Sequence, residues 1–225
     1  MDTPRIESRG FFDTSVLDIS DKELENFREF LLSFSSLVVD QKILGELPPE
    51  LLNPPILTKV KGLYNLFSLH HPVIRKLYAK VREMSRQACK DQRIDFDEQN
   101  YYISGWINIL DKEVQSRERY DQYFEQNMMS ELENFNHDFN LHGYMSVSAE
   151  GSETYFRIDG QDLIVNQNTN KKVCITRAAE QHAIGYWDQD SKRITVGFDV
   201  INLFDRTKNK EWLKLDYSQY LVPLV

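Results

Sequence analysis

Residues 193–201 alternate without a break: Ile194, Val196, Phe198 and Val200 fall on one side of an extended chain. Arg193, Thr195, Gly197 and Asp199 fall on the other side, which is the period of a β-strand. Residues 100–110 repeat the pattern, with Tyr102, Ser104, Trp106 and Asn108 opposite Ile103, Gly105, Ile107 and Ile109. Further strands are expected at 142–149, 152–158, 163–165, 172–176 and 183–187, separated by turn-forming clusters such as the Asn/Gln-rich 166–170. The polar segment 188–192 has the composition of a tight loop, so 183–187 and 193–201 are expected to pair as a hairpin.

Before residue 100 the period is that of a helix. Ser20 to Glu23 has the capping-box form, and Leu24, Phe27, Phe30, Leu31 and Phe34 follow at helical spacing, which predicts a helix to about residue 35. A second helix is expected to open at His71-Pro72, with Ile74, Leu77, Tyr78, Val81, Met84 and Ser85 as its buried stripe. Four prolines make 47–55 a loop, and His70 and His71 read as residues leading into the second helix. Residues 111–134 are highly charged, with Tyr120, Tyr123, Phe124, Met128 and Leu132 at roughly helical spacing, and are expected to form a helical insertion or lid. Helices followed by about eight strands predict an α+β chain: a double-stranded β-helix of jelly-roll type with N-terminal helices packed on it. The 225 residues read as one domain: a helical N-terminal region over 1–98, a core over 99–202 that contains the insertion, and a tail over 203–225 packing back on the barrel.

Composition narrows the function classes. The net charge of −8 argues against a nucleic-acid backbone as the main partner. Cys89 and Cys174 are far apart with no CxxC, so neither a zinc knuckle nor a disulfide framework is indicated. No apolar run is long enough to span a bilayer and residues 1–12 lack a signal-peptide pattern, so no membrane partner and a cytoplasmic location are expected.

The chemistry concentrates between residues 181 and 201. A guanidinium on the inward face of a strand is costly to bury unless an anion meets it, and Thr195 shares the face of Arg193. His182 precedes them by one turn of chain. An imidazole, a buried cation and a hydroxyl at the mouth of a barrel describe a site for a metal and a carboxylate ligand.

His182, then Arg193-Ile194-Thr195, resembles the C-terminal half of the Fe(II)/2-oxoglutarate-dependent oxygenases, and RITVGFDVI is similar to the closing strand of their small phage and bacterial members. In that family the distal metal histidine precedes an Arg-x-Ser/Thr pair that holds the far carboxylate of 2-oxoglutarate. The resemblance implies those roles for His182, Arg193 and Thr195. NYYISGWINIL resembles the strand before the metal motif, where a Trp-x-Asn pair often faces the pocket, which brings in Asn108. HGYMSVSAEGSETYFRI resembles the strand that carries tyrosine and threonine inward, which makes Tyr144, Thr154 and Tyr155 candidates for hydrogen bonds to 2-oxoglutarate.

At the first half of the metal site the chain departs from the family. An oxygen-activating non-haem iron wants two imidazoles and one carboxylate, normally begun by His-x-Asp/Glu. Here Phe139 stands two residues after His137, and Tyr144 two after His142. The alternatives are His137 with Asp138, adjacent residues that converge only in a loop or bulge; His137 with His142; two histidines without a carboxylate, as in the family's halogenases; or a degenerate site without iron. The metal candidates are therefore His137, Asp138, His142 and His182. The implied cofactors are Fe(II) and 2-oxoglutarate. The implied activity is a dioxygenase, most plainly a hydroxylase of a small molecule or an amino-acid or peptide side chain, releasing succinate. The alternative is a non-catalytic jelly-roll binding or structural module that has lost the metal. A cupin-type metalloenzyme without a keto-acid is disfavoured, because no carboxylate would then need Arg193.

Overall fold

The computed structural model describes residues 11–40, 64–112, 140–159, 162–202 and 221–225. Helix α1 (Asp21–Asp40) starts as the capping box requires. The Ser20 Oγ accepts from the Glu23 amide at 3.2 Å, and the Glu23 carboxylate accepts from the Ser20 amide at 2.8 Å. Helix α2 (Pro72–Asp91) is capped by His71, whose Nδ1 accepts from the Val73 amide at 3.2 Å, while Pro72 sits where no amide is needed.

The strands are β1 (Phe12–Val16), β2 (Tyr101–Leu110), β3 (Leu141–Ser148), β4 (Glu153–Ile158), β5 (Asp162–Gln167), β6 (Lys172–Arg177), β7 (Gln181–Ile184), β8 (Arg193–Asn202) and β9 (Val222–Pro223). Among the described residues they form a six-stranded sheet, ordered β1-β6-β3-β8-β2-β9, and a three-stranded sheet, ordered β5-β4-β7. The strand pairings in both sheets are antiparallel. This is the expected double-stranded β-helix with the two helices on one face.

The large sheet is apolar on its outer face. Ile103, Ile107, Met145, Val173, Val196 and Phe198 join Phe27 and Leu31 of α1 and Ile74, Leu77 and Val81 of α2 in one core. Each such side chain contributes roughly 1.5–3 kcal/mol on burial, so this helix-covered face holds the sheet rigid. The opposite face, turned toward the small sheet, carries polar residues and aromatics.

The expected hairpin of 183–187 with 193–201 does not form. β7 pairs with β4, placing Ile184 opposite Thr154 and His182 opposite Phe156, whereas β8 lies between β2 and β3. Residues 185–192 cross from one sheet to the other. The reason is backbone satisfaction: β8 is buried along nearly all of its length, so both its edges need partners. The four residues of β7 could not supply one edge, whereas β2 pairs with β8 over its whole length.

The expected insertion 111–134 lies almost wholly outside the described residues, as do His137, Asp138 and most of the tail. The end of the tail is described: β9 pairs with β2, and the amide of buried Leu224 donates to the Tyr101 carbonyl at 2.9 Å. Among the described residues no helix is long and apolar enough to cross a membrane.

Candidate active site

Three cross-strand rungs build the interior face of the large sheet, because paired residues in antiparallel strands share a face. The first rung runs Thr176, His142, Asp199, Ser104 across β6, β3, β8 and β2. The second runs Cys174, Tyr144, Gly197, Trp106. The third joins Ser146, Thr195 and Asn108. The small sheet faces them with Thr154 and Phe156 from β4 and His182 from β7. Tyr144 and Phe156 stack between the sheets with ring centroids 6.2 Å apart.

Arg193 is at the start of β8 and only 1% exposed. Its Nε donates to Ser152 Oγ at 3.0 Å, and its Nη2 to Thr154 Oγ1 at 3.3 Å. Asn168 holds both hydroxyls from the other side, its Nδ2 donating to Ser152 at 3.0 Å and Thr154 at 3.1 Å. Its Oδ1 accepts from the Tyr144 hydroxyl at 2.6 Å, and Asn166 Nδ2 donates to that hydroxyl at 2.5 Å. Lys172 Nζ closes the network through Asn166 Oδ1 and the Gln167 carbonyl. Beside it Thr195 Oγ1 accepts from Asn108 Nδ2 at 3.5 Å. Two of the partners of this buried guanidinium are thus hydroxyls, and a planar guanidinium fork is the donor geometry that a carboxylate meets best.

The second group lies one to two rungs along. His142 Nδ1 stands 2.8 Å from Asp199 Oδ1, and both residues are buried. The ring of His182 stacks on that of His142, with centroids 4.4 Å apart and planes 19° from parallel. Trp106 borders the pair, 6.0 Å from the His142 ring. Among the described residues no three His, Cys, Asp or Glu side chains already stand as a metal site. The geometry says why: a metal lies in the plane of each imidazole that binds it, and nearly parallel planes share no such point. The donor types nevertheless fit a non-haem iron, being two imidazoles and one carboxylate.

Burial dominates the electrostatics. It pushes the Cys174 thiol up to about 11 and holds the Tyr144 phenol well above its ordinary range, so both are neutral hydrogen-bonding groups at physiological pH.

The structure therefore brings together Arg193, Thr154 and Tyr144 in one network, with the Asn108–Thr195 pair on the same interior face and His142 stacked on His182 nearby. Tyr155 instead pairs across to Val165 and Ala183, and its hydroxyl donates to Glu153. Sequence reasoning missed Ser152, Asn168 and Asp199. Asp199 had a signal, since it shares the inward parity of Arg193. Ser152 stands at the very start of the expected 152–158 strand, and Asn168 sits in a turn-rich stretch whose composition announces only a turn.

No family model matches the sequence, and no curated protein matches it. Solved structures do match in fold. The non-heme alpha-ketoglutarate-dependent carbocyclase SnoK from nogalamycin biosynthesis superposes with a TM-score of 0.54 at 8% identity, over 90% of this chain and 84% of SnoK. EvdO2 from Micromonospora carbonacea var. aurantiaca, complexed with 2-oxoglutarate, gives 0.52 at 12% identity, over 90% and 91%. A Pseudomonas putida prolyl-4-hydroxylase gives 0.50 at 4% identity, over 86% and 88%. With these neighbours and the sheet order above, the chain has the double-stranded β-helix fold that these solved structures share.

Proposed function

We propose that this protein is a non-haem Fe(II)/2-oxoglutarate-dependent dioxygenase that hydroxylates a small molecule or an amino-acid or peptide side chain. The observation that carries the reading is Arg193: a guanidinium at the first position of β8, buried between the sheets, with Thr195 on the same face and His182 across the interior. Bound iron and 2-oxoglutarate would supply the oxidising chemistry, with loss of carbon dioxide and release of succinate. The protein's role is placement. Arg193 pairs with the far carboxylate of the co-substrate, Thr195 and Asn108 hydrogen-bond beside it, and Ser152 and Thr154 fix the plane of the guanidinium. His182, on the small sheet, would be one of the residues that hold the iron. Trp106 and Phe156 wall the space with apolar surface, which limits water at the reacting centre.

A second reading, a jelly-roll binding module without metal, draws on the stacked rings of His142 and His182. Turnover separates the two. The Fe(II)-loaded protein incubated with 2-oxoglutarate and oxygen should form succinate even without the primary substrate, at a slow uncoupled rate. Absence of succinate above the protein-free background, with bound iron verified, contradicts the enzyme reading.

A further inference from the structure

We propose that Lys172 is a positioning residue for the co-substrate. Its ammonium fixes the direction of a hydrogen-bond relay, so that Thr154 presents a proton rather than a lone pair beside Arg193. The inference rests on the oxygenase reading and adds to it a residue that acts on the ligand only through others.

Lys172 is the half-buried first residue of β6. It shares the inward face of Cys174, while Val173 between them joins the outer core. An ammonium donates and never accepts, so every link beyond it has a fixed order. Asn166 turns its Oδ1 to Lys172 Nζ. Its Nδ2 therefore points the other way, donating to the Tyr144 hydroxyl at 2.5 Å and to Cys174 Sγ at 3.1 Å. Tyr144, having accepted there, donates to Asn168 Oδ1 at 2.6 Å. Asn168 Nδ2 is left to donate to Ser152 Oγ at 3.0 Å and to Thr154 Oγ1 at 3.1 Å. Arg193, which also only donates, fills the second acceptor position of each hydroxyl. Ser152 gives its own proton to the Ala149 carbonyl at 2.7 Å. Thr154 thus has both acceptor positions filled and can only donate. Its hydrogen-bonding neighbour in the structure is the Tyr144 hydroxyl. A carboxylate on Arg193 is a stronger acceptor for that proton, because the bond is then charge-assisted. Without the ammonium, Asn166 and Asn168 are free to turn their amides over together, and the relay runs backwards. Thr154 then donates to Asn168 Oδ1 and faces the ligand with a lone pair, which repels a carboxylate.

The test is a double-mutant cycle on 2-oxoglutarate affinity, read by calorimetric titration into the Mn(II)-loaded full chain with no turnover involved. It compares wild type, Lys172→Met, Thr154→Val and the variant carrying both. Lys172→Met keeps the apolar stem and removes the donor. It should weaken binding about tenfold or more, the scale of one hydrogen bond to a charged group. Thr154→Val should weaken binding as well. In the Thr154→Val background the lysine change should cost less than about twofold, because the proton it positions is gone. A lost surface charge or a general loosening of the fold would act whether or not the Thr154 hydroxyl is present. Wild-type affinity in Lys172→Met or in Thr154→Val, or two losses that multiply in the combined variant, overturns the proposal. Should Lys172→Met fail to fold by circular dichroism, Asn166→Asp takes its place in the cycle, since a carboxylate cannot donate to Tyr144. The same outcomes then decide. Wild type that binds 2-oxoglutarate while the losses multiply sinks this proposal alone. Wild type that binds none sinks the oxygenase reading, and this inference with it.

Discussion

The indole of Trp106 lies against the bare backbone of Gly197, its cross-strand partner: a Cβ at that glycine would stand 2.6 Å from Trp106 Cε2. The missing side chain is what admits the indole to the interior beside His142. We expect Gly197→Ala to displace the ring and lower stability by about 1–3 kcal/mol, the usual cost of overpacking. Urea unfolding should show a lower midpoint at unchanged slope. An unchanged midpoint would contradict this account of the interior.

Asn168 ties the two sheets together through Ser152, Thr154 and Tyr144. Replacing it with alanine strands buried groups rather than removing them, and each loses hydrogen-bonding satisfaction in a low dielectric. Asn168→Ala should cost about 1–3 kcal/mol in denaturant unfolding. It should also weaken 2-oxoglutarate binding, because the hydroxyls that orient Arg193 lose their own anchor. Full stability with full co-substrate affinity would show that Asn168 merely fills space.

Two buried thiols make stability depend on alkaline pH. Burial pushes Cys89 and Cys174 each up to about 11 from an ordinary 9.0. The neutral thiol is favoured in the folded chain, so this contribution is complete below pH 9.0 and lost as pH rises toward about 11. Unfolding midpoints should fall across that window, and fall less steeply in a Cys89→Ala, Cys174→Ala double variant. Identical slopes for the two proteins would contradict the assignment.

How much of this was legible in the sequence depends on what periodicity encodes. The alternation of β8 gives its two faces, because side chains alternate whatever the partner, and so Arg193, Thr195 and Asp199 sort together correctly. The capping box at Ser20 and the Pro72 start are local chemistry and are found where expected. Partners are a different matter. Nothing in the polar loop 188–192 says that β7 joins β4 rather than β8, since that choice is made by backbone groups far away in sequence. Asn168 escaped for a similar reason: an asparagine in a turn looks the same whether its side chain meets water or a buried tyrosine. His137 and Asp138 lie outside the described residues, so the His137 pairings rest on resemblance alone.

His182 is the imidazole assigned by its place eleven residues before Arg193. His182→Ala should abolish Co(II) or Fe(II) binding and leave the fold intact, because among the described residues β7 is the outer strand of the small sheet and His182 is outside the main apolar core. Metal stoichiometry by mass spectrometry, with circular dichroism as the control, reads both. Unchanged stoichiometry would remove His182 from the site.

The central claim is that Arg193 exists to hold the far carboxylate of 2-oxoglutarate, and calorimetric titration of that compound into Mn(II)-loaded protein tests it directly. Loss of one partner of a buried charge pair strands the other, so Arg193→Ala should weaken binding by about 3 kcal/mol or more, a hundredfold or greater. Arg193→Lys should recover some of the affinity, since it restores the charge without the bidentate fork. Metal affinity should be nearly unchanged in both, because the guanidinium is no ligand. Wild type that binds 2-oxoglutarate and an Arg193→Ala variant that does not is the predicted result. Wild type that fails to bind, or Arg193→Ala that binds as tightly as wild type, would contradict it.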